Sequence, residues 1–508
     1  MELYLCEKPL QAEDIANAIG QPTKANGYFQ VGSDIVVTWA KGHLMEMYSP
    51  EDYNSKYKKW NFTDLPIQPH HWKKKLKHAT KNQFFIVSNL LSNASVIYIA
   101  TDIDREGESI AREILDRCKV TVPLKRIRIT ALDKDSIVHA LSDVRDESET
   151  RNLAEAATAR QQADWLVGMN LTRLYSLLAQ HMGVKETFHV GRVAIPTIAL
   201  VCHRDNAIRQ HNATPYYSLK LGCEYRGEPF EAKWIPDENQ SDNDKHCVNK
   251  ILRDDLAVDV RGSAAQIIKY ELKEHKSSAP LPFDLNTLQQ FASDRWRYTS
   301  KEVLKGLQSL YEKHKAITYP RTESRYLPSR FVHLVDGTLE VIRHSGKTGE
   351  LIVSGVVDVN IATARVFDDE KVDSSHHAII PTTKIIREEY LSKLELRLYH
   401  VICRYYVAQF YQNNVTEKVS VMLQSRNSVF GASGSRTLVM GWKAVLGKNL
   451  ALIKNAGTID KTQAPPLPTL IYGDSVTITQ VIPGDHMTTA PDPFTESTLI
   501  AAMKRIGK

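Results

Sequence analysis

The chain has 508 residues, 65 of them Lys or Arg and 59 Asp or Glu, for a formal net charge of +6. That length exceeds what one hydrophobic core supports, so three or four domains are expected, and the weak basic excess permits nucleic-acid binding without demanding it. Six cysteines with no Cys-x-x-Cys pair argue against zinc ribbons and a disulfide framework, Met1-Glu2-Leu3-Tyr4 does not open a signal peptide, and no apolar run reaches the length of a membrane span, so a cytoplasmic protein is expected.

Leu3-Tyr4-Leu5-Cys6 reads as a short buried strand, followed at once by Glu7-Lys8-Pro9. Leu10, Ala12, Ile15, Ala16 and Ile19 then recur on one helical face, with Gly20 near the stop. Glu7 and Lys8 are therefore placed at a strand end, where Glu7 also suits the helix dipole. The basic run Lys73-Lys74-Lys75-x-Lys77-His78 reads as a solvated face, with a dedicated DNA grip as the alternative. Val96-Ile97-Tyr98-Ile99-Ala100 is a second buried strand. It leads into Thr101-Asp102-Ile103-Asp104-Arg105-Glu106-Gly107-Glu108, and a helical pattern follows with Ile110, Ala111, Ile114 and Leu115. Strand, acidic loop, helix puts ligands at the carboxyl end of a parallel sheet. In an extended loop Asp102, Asp104 and Glu106 share one face. Like charges about 4 Å apart cost roughly 4 kcal/mol per pair at an effective dielectric of 20, so such a trio asks for neutralisation. Carboxylate oxygens suit Mg²⁺, which also binds substrate phosphate; a solvated acidic loop is the plainer alternative.

Arg126-Ile127-Arg128-Ile129 reads as a strand, and Asp133 as the cap of a helix holding Ile137, Leu141 and Val144. Arg151 to His181 reads as one long helix with Trp165, Met169 and Leu177 near an apolar face and Arg160 and Arg173 leaving it. Near residue 215 the period drops to two: Tyr217, Leu219, Leu221 and Cys223, a turn at Arg226-Gly227, then Phe230, Ala232 and Trp234. Residues 236–249 are polar and read as a loop. Asn286–Arg297 and Ser300–Lys313 read as helices. Ala316-Ile317-Thr318-Tyr319-Pro320-Arg321-Thr322-Glu323-Ser324 follows, with Tyr319 expected at a strand end that Pro320 closes. In extended chain Arg321 projects to the side of Tyr319. A phenol beside a permanent cation suits attack on a phosphate, because the cation favours phenolate and neutralises the oxygens under attack. Strand patterns return at Val419-x-Val421-x-Leu423 and Val476-x-Ile478, so the β region is built from two excursions of the chain. Thr495 opens a last helix with Leu499, Ile500 and Met503.

Taken together, Glu7-Lys8-Pro9, Asp102-x-Asp104-Arg105-Glu106-Gly107-Glu108 and Ile317-Thr318-Tyr319-Pro320-Arg321-Thr322 resemble a type IA DNA topoisomerase, most of all the bacterial topoisomerase III branch. Gly168-Met169-Asn170-Leu171-Thr172-Arg173, Gly191-Arg192-Val193 with Pro196-Thr197, Ala279-Pro280-Leu281-Pro282-Phe283 and His376-His377-Ala378-Ile379-Ile380-Pro381-Thr382 continue the resemblance in family order. It implies a multidomain torus of α/β, α and β parts. A Toprim α/β domain (residues 1–150) carries the acidic site. Residues 151–213 and 482–508 form a helical DNA-binding domain, 214–277 and 411–481 a β arch, and 278–410 the domain with the active-site tyrosine.

The resemblance implies ATP-independent cleavage of single-stranded DNA through a 5′-phosphotyrosyl intermediate, strand passage and religation, relaxing or decatenating DNA. Tyr319 would be the nucleophile, Arg321 and His376 phosphate contacts, Glu7 the proton donor to the leaving 3′ oxygen and Lys8 the holder of the scissile phosphate. Asp102, Asp104 and Glu106 would bind Mg²⁺, and Asn170, Thr172, Arg173 and Arg192 would contact DNA. A monomer in the bacterial cytoplasm, at nucleoid or plasmid, is implied, with a helicase or single-strand-binding protein as candidate partner. Two departures stand out. Ala194-Ile195 replaces a polar pair, and the family's Gly-Thr-x-Ala-Thr-Arg region does not follow the Thr495 helix, so the DNA-binding domain is expected to be incomplete. A single-stranded-DNA-binding protein of the same fold with little relaxation, and a Toprim primase or nuclease, are the competing readings. A covalent-adduct assay separates the first, and Tyr319→Phe, which spares a primase, the second.

Overall fold

The computed structural model describes residues 1–346, 364–372, 376–450 and 466–506. The parts of the expected tyrosine and arch domains at 347–363, 373–375 and 451–465, and the last two residues, lie outside the described residues.

Nine strands lie within the first 146 residues: β1 (Glu2–Cys6), β2 (Pro22–Ala25), β3 (Tyr28–Val31), β4 (Ile35–Trp39), β5 (Met45–Met47), β6 (Lys74–Leu76), β7 (Val96–Ala100), β8 (Leu124–Arg126) and β9 (Arg145–Asp146). Seven of them form one sheet in the order β2-β3-β4-β1-β7-β8-β9, parallel at its centre. Leu3, Leu5 and Cys6 of β1 are fully buried because helices cover both faces, which is why this strand reads as an unbroken apolar run. Register fixes the site's first geometry: Cys6 pairs with Ala100, so Glu7 and Thr101 leave the sheet side by side at the same carboxyl edge.

Three expectations for this region change. The helix after β7 begins at Arg105, capped by the Asp104 side chain, so Glu106 sits in its first turn and not in an extended loop. The trio therefore does not share one face by strand alternation. β8 stops at Arg126, since Ile127 and Ile129 enter the core beyond the sheet edge. The helix capped by Asp133 ends at Ser142 and leaves Val144 outside.

The long helix spans Ser148–His181. Its Trp165 is buried and donates to the Tyr48 carbonyl, whereas Met169 is 37% exposed. Six later strands close a barrel in the order β10-β11-β14-β13-β12-β15. They are β10 (Pro215–Tyr225), β11 (Glu228–Ile235), β12 (Ala264–Ser277), β13 (Asn414–Ser425), β14 (Ser428–Val439) and β15 (Ser475–Met487). The β10–β11 turn has both Arg226 (φ 51°) and Gly227 (φ 86°) left-handed, the twist a two-residue hairpin needs. Sequence reading missed β12 and the Lys250–Asp259 helix, whose short, charge-rich pattern shows little periodicity.

The helices Leu285–Trp296 and Ser300–Glu312 each open with a capping box, Asp284 with Thr287 and Thr299 with Glu302. The second buries Val303, Leu307, Leu310 and Tyr311 and delivers the chain to Tyr319. Tyr319 is not on a strand. Ile317 makes one isolated bridge to Pro381, and the Tyr319 amide donates to the Thr130 carbonyl at 2.9 Å. One hydrophobic core runs from Tyr4, Ile15, Ala100 and Leu132 to Phe283, Leu310, Tyr311 and Ile317, so the tyrosine segment packs directly on the first sheet. Among the described residues no helix is long and apolar enough to cross a membrane.

Candidate active site

The carboxyl edge of β1 and β7 gathers Glu7, Lys8 and Asp102. Lys8 Nζ lies 3.2 Å from Asp102 Oδ2, 3.5 Å from Glu7 Oε1 and 3.2 Å from Glu312 Oε1. Gln11 ties the two strand ends together: its Nε2 donates to Asp102 Oδ1 at 3.1 Å, and its Oε1 accepts from the Glu7 amide at 2.9 Å. Asp104 is divided between two duties. Its Oδ1 accepts from the Gly107 amide at 2.7 Å, and its Oδ2 accepts from the Tyr319 hydroxyl at 2.7 Å, across 215 residues of sequence. Arg321 Nη1 reaches Glu106 Oε2 at 3.4 Å. The His376 ring stacks on Tyr319 with centroids 5.5 Å apart, and buried Tyr311 meets Tyr319 edge-on at 5.5 Å. The structure thus brings Tyr319, Arg321 and His376 to Glu7, Lys8, Asp102, Asp104 and Glu106.

Supporting residues that sequence reading passed over hold this edge in shape. Arg126 is fully buried, and its guanidinium donates to the carbonyls of Ile99, Thr101, Ile127 and Asp102 at 2.9–3.3 Å. Its charge is met by the fully buried Glu108, with Nε and Oε2 3.1 Å apart. That contact lacks hydrogen-bond geometry and compensates charge only. Glu108 also accepts from Arg112 at 3.0 Å. Gly107 is required by closeness: a Cβ there would lie 2.3 Å from the Asp102 carbonyl oxygen. Glu108 and Gly107 stood in the acidic motif, and Glu312 at the helix end before the tyrosine, but nothing in their spacing announced these contacts.

The electrostatics follow from burial among like charges. Glu7 is pushed up to about 8, first by burial and then by Asp102, against the pull of Lys8. Asp102 is raised by burial, with Lys8 opposing. Burial would lower Lys8, but Asp102, Glu7 and Glu312 overcome it and hold the ammonium charged. The Tyr319 phenol is raised well above its ordinary value by burial, by Asp102 and Asp104 and by donating to Asp104. Arg321 pulls the other way and loses. Arg321 favours phenolate as expected, but without a bound cation its pull is outweighed by burial and by the charges of Asp102 and Asp104.

The donor chemistry suits a hard divalent cation, although the oxygens of Asp102, Asp104 and Glu106 do not all lie within 4.8 Å of one another as they stand. With Glu7 held protonated, Asp102, Asp104, Glu106 and Glu312 still outnumber Lys8 and Arg321 in carboxylate oxygens that a cation could share. These oxygens are met instead by Lys8, Gln11, Tyr319 and Arg321, and a cation would exchange for some of those contacts.

The residues expected on DNA lie elsewhere and make protein contacts. Asn170 brackets Ile67, accepting from its amide at 2.6 Å and donating to its carbonyl at 3.0 Å. Thr172 Oγ1 accepts from the Val190 amide at 2.9 Å. Arg173 is buried, donating to the Tyr57 carbonyl at 2.8 Å and lying over Trp60. Arg192, half exposed, pairs with Asp164 at 2.7 Å. Thr172 and Arg173 also line a cavity of about 460 Å³ with Lys58, Trp60, Met169 and His189.

Residues 2–132 match the family described as Toprim domain, and residues 148–507 that described as DNA topoisomerase. The chain is 35% identical to DNA topoisomerase 3 of Vibrio cholerae over 100% of this chain and 78% of that protein. It is 33% identical to DNA topoisomerase 3 of Salmonella typhimurium, over 100% and 78%. The solved structure of full-length topoisomerase I from Thermotoga maritima superposes with a TM-score of 0.69 at 19% identity, covering 99% of this chain and 75% of that one. The primase, nuclease and non-cleaving readings gain no support from these matches. The chain belongs to the type IA DNA topoisomerases, of the topoisomerase 3 kind, and is an enzyme of single-strand cleavage and passage.

Proposed function

We propose that Tyr319 is the nucleophile and that the groups around it divide the proton and charge work of transesterification. The observation that carries this is the 2.7 Å hydrogen bond from its hydroxyl to Asp104, which docks the tyrosine segment onto the acidic edge. As the Tyr319 oxygen bonds to phosphorus, its proton passes to Asp104, to which it already donates. The P–O3′ bond breaks, and the 3′ oxygen takes a proton from Glu7. A carboxyl raised to about 8 is mostly protonated at neutral pH, as that donor must be. Religation runs the same transfers backward, and one phosphodiester replaces another, so no ATP is needed. Lys8 and Arg321 neutralise the phosphate oxygens, and His376, stacked on the tyrosine, borders the attacked phosphate. Asp102, Asp104 and Glu106 would hold Mg²⁺, which supplies charge neutralisation in this acidic pocket.

Single-stranded DNA is the substrate in this reading, with strand ends laid toward the helical region that carries Asn170, Thr172, Arg173 and Arg192. A cytoplasmic, monomeric enzyme that works with a helicase or single-strand-binding protein, as suppliers of unpaired DNA, belongs to the same proposal. The test is Tyr319→Phe with a labelled single-stranded oligonucleotide. The variant is expected to bind the oligonucleotide with unchanged affinity and form no denaturant-resistant adduct. An adduct from Tyr319→Phe would refute the assignment.

A further inference from the structure

Outside the residues that meet Tyr319, one cluster joins mixed metal-ligand chemistry to an unsatisfied donor atom. Asp242, Asp244 and His246 sit at alternate positions of the polar segment before the Lys250–Asp259 helix. One ligand atom from each lies within 4.8 Å of the others, the sole such grouping among the described residues. His246 is anchored independently of any ligand. Its ring stacks on Tyr216 at 4.1 Å, and the next residue, Cys247, accepts from the Tyr217 amide at 2.7 Å. So the segment is fastened to the start of β10. The second observation is that His246 Nδ1 is shut off from solvent and has no hydrogen-bond partner. It stands 3.9 Å from Asp242 Oδ2, too far for a hydrogen bond. Two bonds of about 2.1 Å to one ion span at most roughly 4.2 Å, so an ion between these atoms closes the gap. Asp242 Oδ1 is already committed to the amides of Asp244 and His246, which leaves Oδ2 for the ion.

We propose that Asp242, Asp244 and His246 form a binding site for a borderline divalent transition cation, with water filling the remaining positions. The imidazole nitrogen selects against Mg²⁺ and Ca²⁺, which prefer oxygen alone, and for ions such as Zn²⁺ or Co²⁺. The ion fastens the 236–249 segment to the barrel and takes no part in cleavage. A cation that binds the folded barrel raises its unfolding temperature as its concentration rises.

The test is Co²⁺ titration of the full chain with millimolar Mg²⁺ present to occupy the acidic edge, read by visible absorption and by thermal unfolding. One equivalent is expected to bind, with Zn²⁺ displacing it. His246→Phe keeps the ring stack on Tyr216 and removes the nitrogen. It is expected to weaken Co²⁺ binding at least thirtyfold and to abolish the Co²⁺-dependent rise in unfolding temperature, while Mg²⁺-dependent relaxation stays at the wild-type rate. Asp244→Asn is expected to weaken binding about tenfold. No binding below millimolar Co²⁺ would overturn the proposal, and so would equal binding by wild type, His246→Phe and Asp244→Asn.

Discussion

Arg126 is the buried cation on which the shape of the acidic edge depends, and Arg126→Met tests that dependence. Methionine keeps most of the stem's volume but removes the guanidinium from the carbonyls of Ile99, Thr101, Ile127 and Asp102 and from Glu108. Each carbonyl orphaned in the interior costs about 1–3 kcal/mol, and breaking a buried ion pair costs about 3–5 kcal/mol. The contacts share one group, so the costs do not add, and Glu108 keeps Arg112. A net loss of about 3–5 kcal/mol follows, or roughly 6–20 °C in the unfolding temperature of the domain concerned. Urea unfolding measures it. Adding Glu108→Gln removes the carboxylate charge that Arg126 no longer compensates, so the double variant is expected to be at least 1 kcal/mol more stable than the sum of the two single losses predicts. A single variant within 1 kcal/mol of wild type, or strict additivity, would show that Arg126 is not what shapes this edge.

Three further outcomes are expected. Gly107→Ala puts a Cβ 2.3 Å from the Asp102 carbonyl oxygen and 3.0 Å from its amide nitrogen, so the loop must shift; oligonucleotide cleavage should fall about 10²-fold, and a wild-type rate would contradict the packing. His377 is buried against Phe331 and held near 4 by burial, although its Nδ1–H donates to the Ala378 carbonyl at 2.8 Å. Below about 6.5 the unfolded chain takes up a proton that the folded chain refuses until about 4, so stability present above 6.5 is lost as pH falls. Between pH 7 and 4.5 the wild type should lose about 2–3 kcal/mol more than His377→Phe in urea unfolding, and equal losses would deny the burial argument. Finally, relaxation should cease in excess chelator and return with Mg²⁺, whereas full relaxation without divalent cations would defeat the metal reading.

The legible parts of the chain were those where pattern and structure obey the same rule. The apolar runs of β1 and β7 are buried on both faces, the Arg226-Gly227 turn has the backbone a hairpin demands, and Asp133 and Thr495 cap the helices they precede. The short motifs around Glu7, Asp102 and Tyr319 marked residues that do meet in space. What stayed hidden is set by tertiary packing. Asp104 looked like one of three loop ligands, but its carboxylate also caps the next helix, which draws Glu106 out of line. Tyr319 looked like a strand end, but its amide is fastened to Thr130 of the first sheet region. Arg173 was expected to leave the apolar face of its helix, but its contacts with the Tyr57 carbonyl and the Trp60 ring were not predictable from helical spacing. Arg321 sits two residues from Tyr319 as expected, but proximity in sequence says nothing of the two carboxylates that outweigh it.

The most direct measurement is to trap the protein on a single-stranded oligonucleotide with Mg²⁺, digest the adduct and sequence the modified peptide by mass spectrometry. A 5′-phosphoryl nucleotide on Tyr319 is the predicted product. A nucleotide carried on any other side chain, or linked through its 3′ phosphate, would contradict the account.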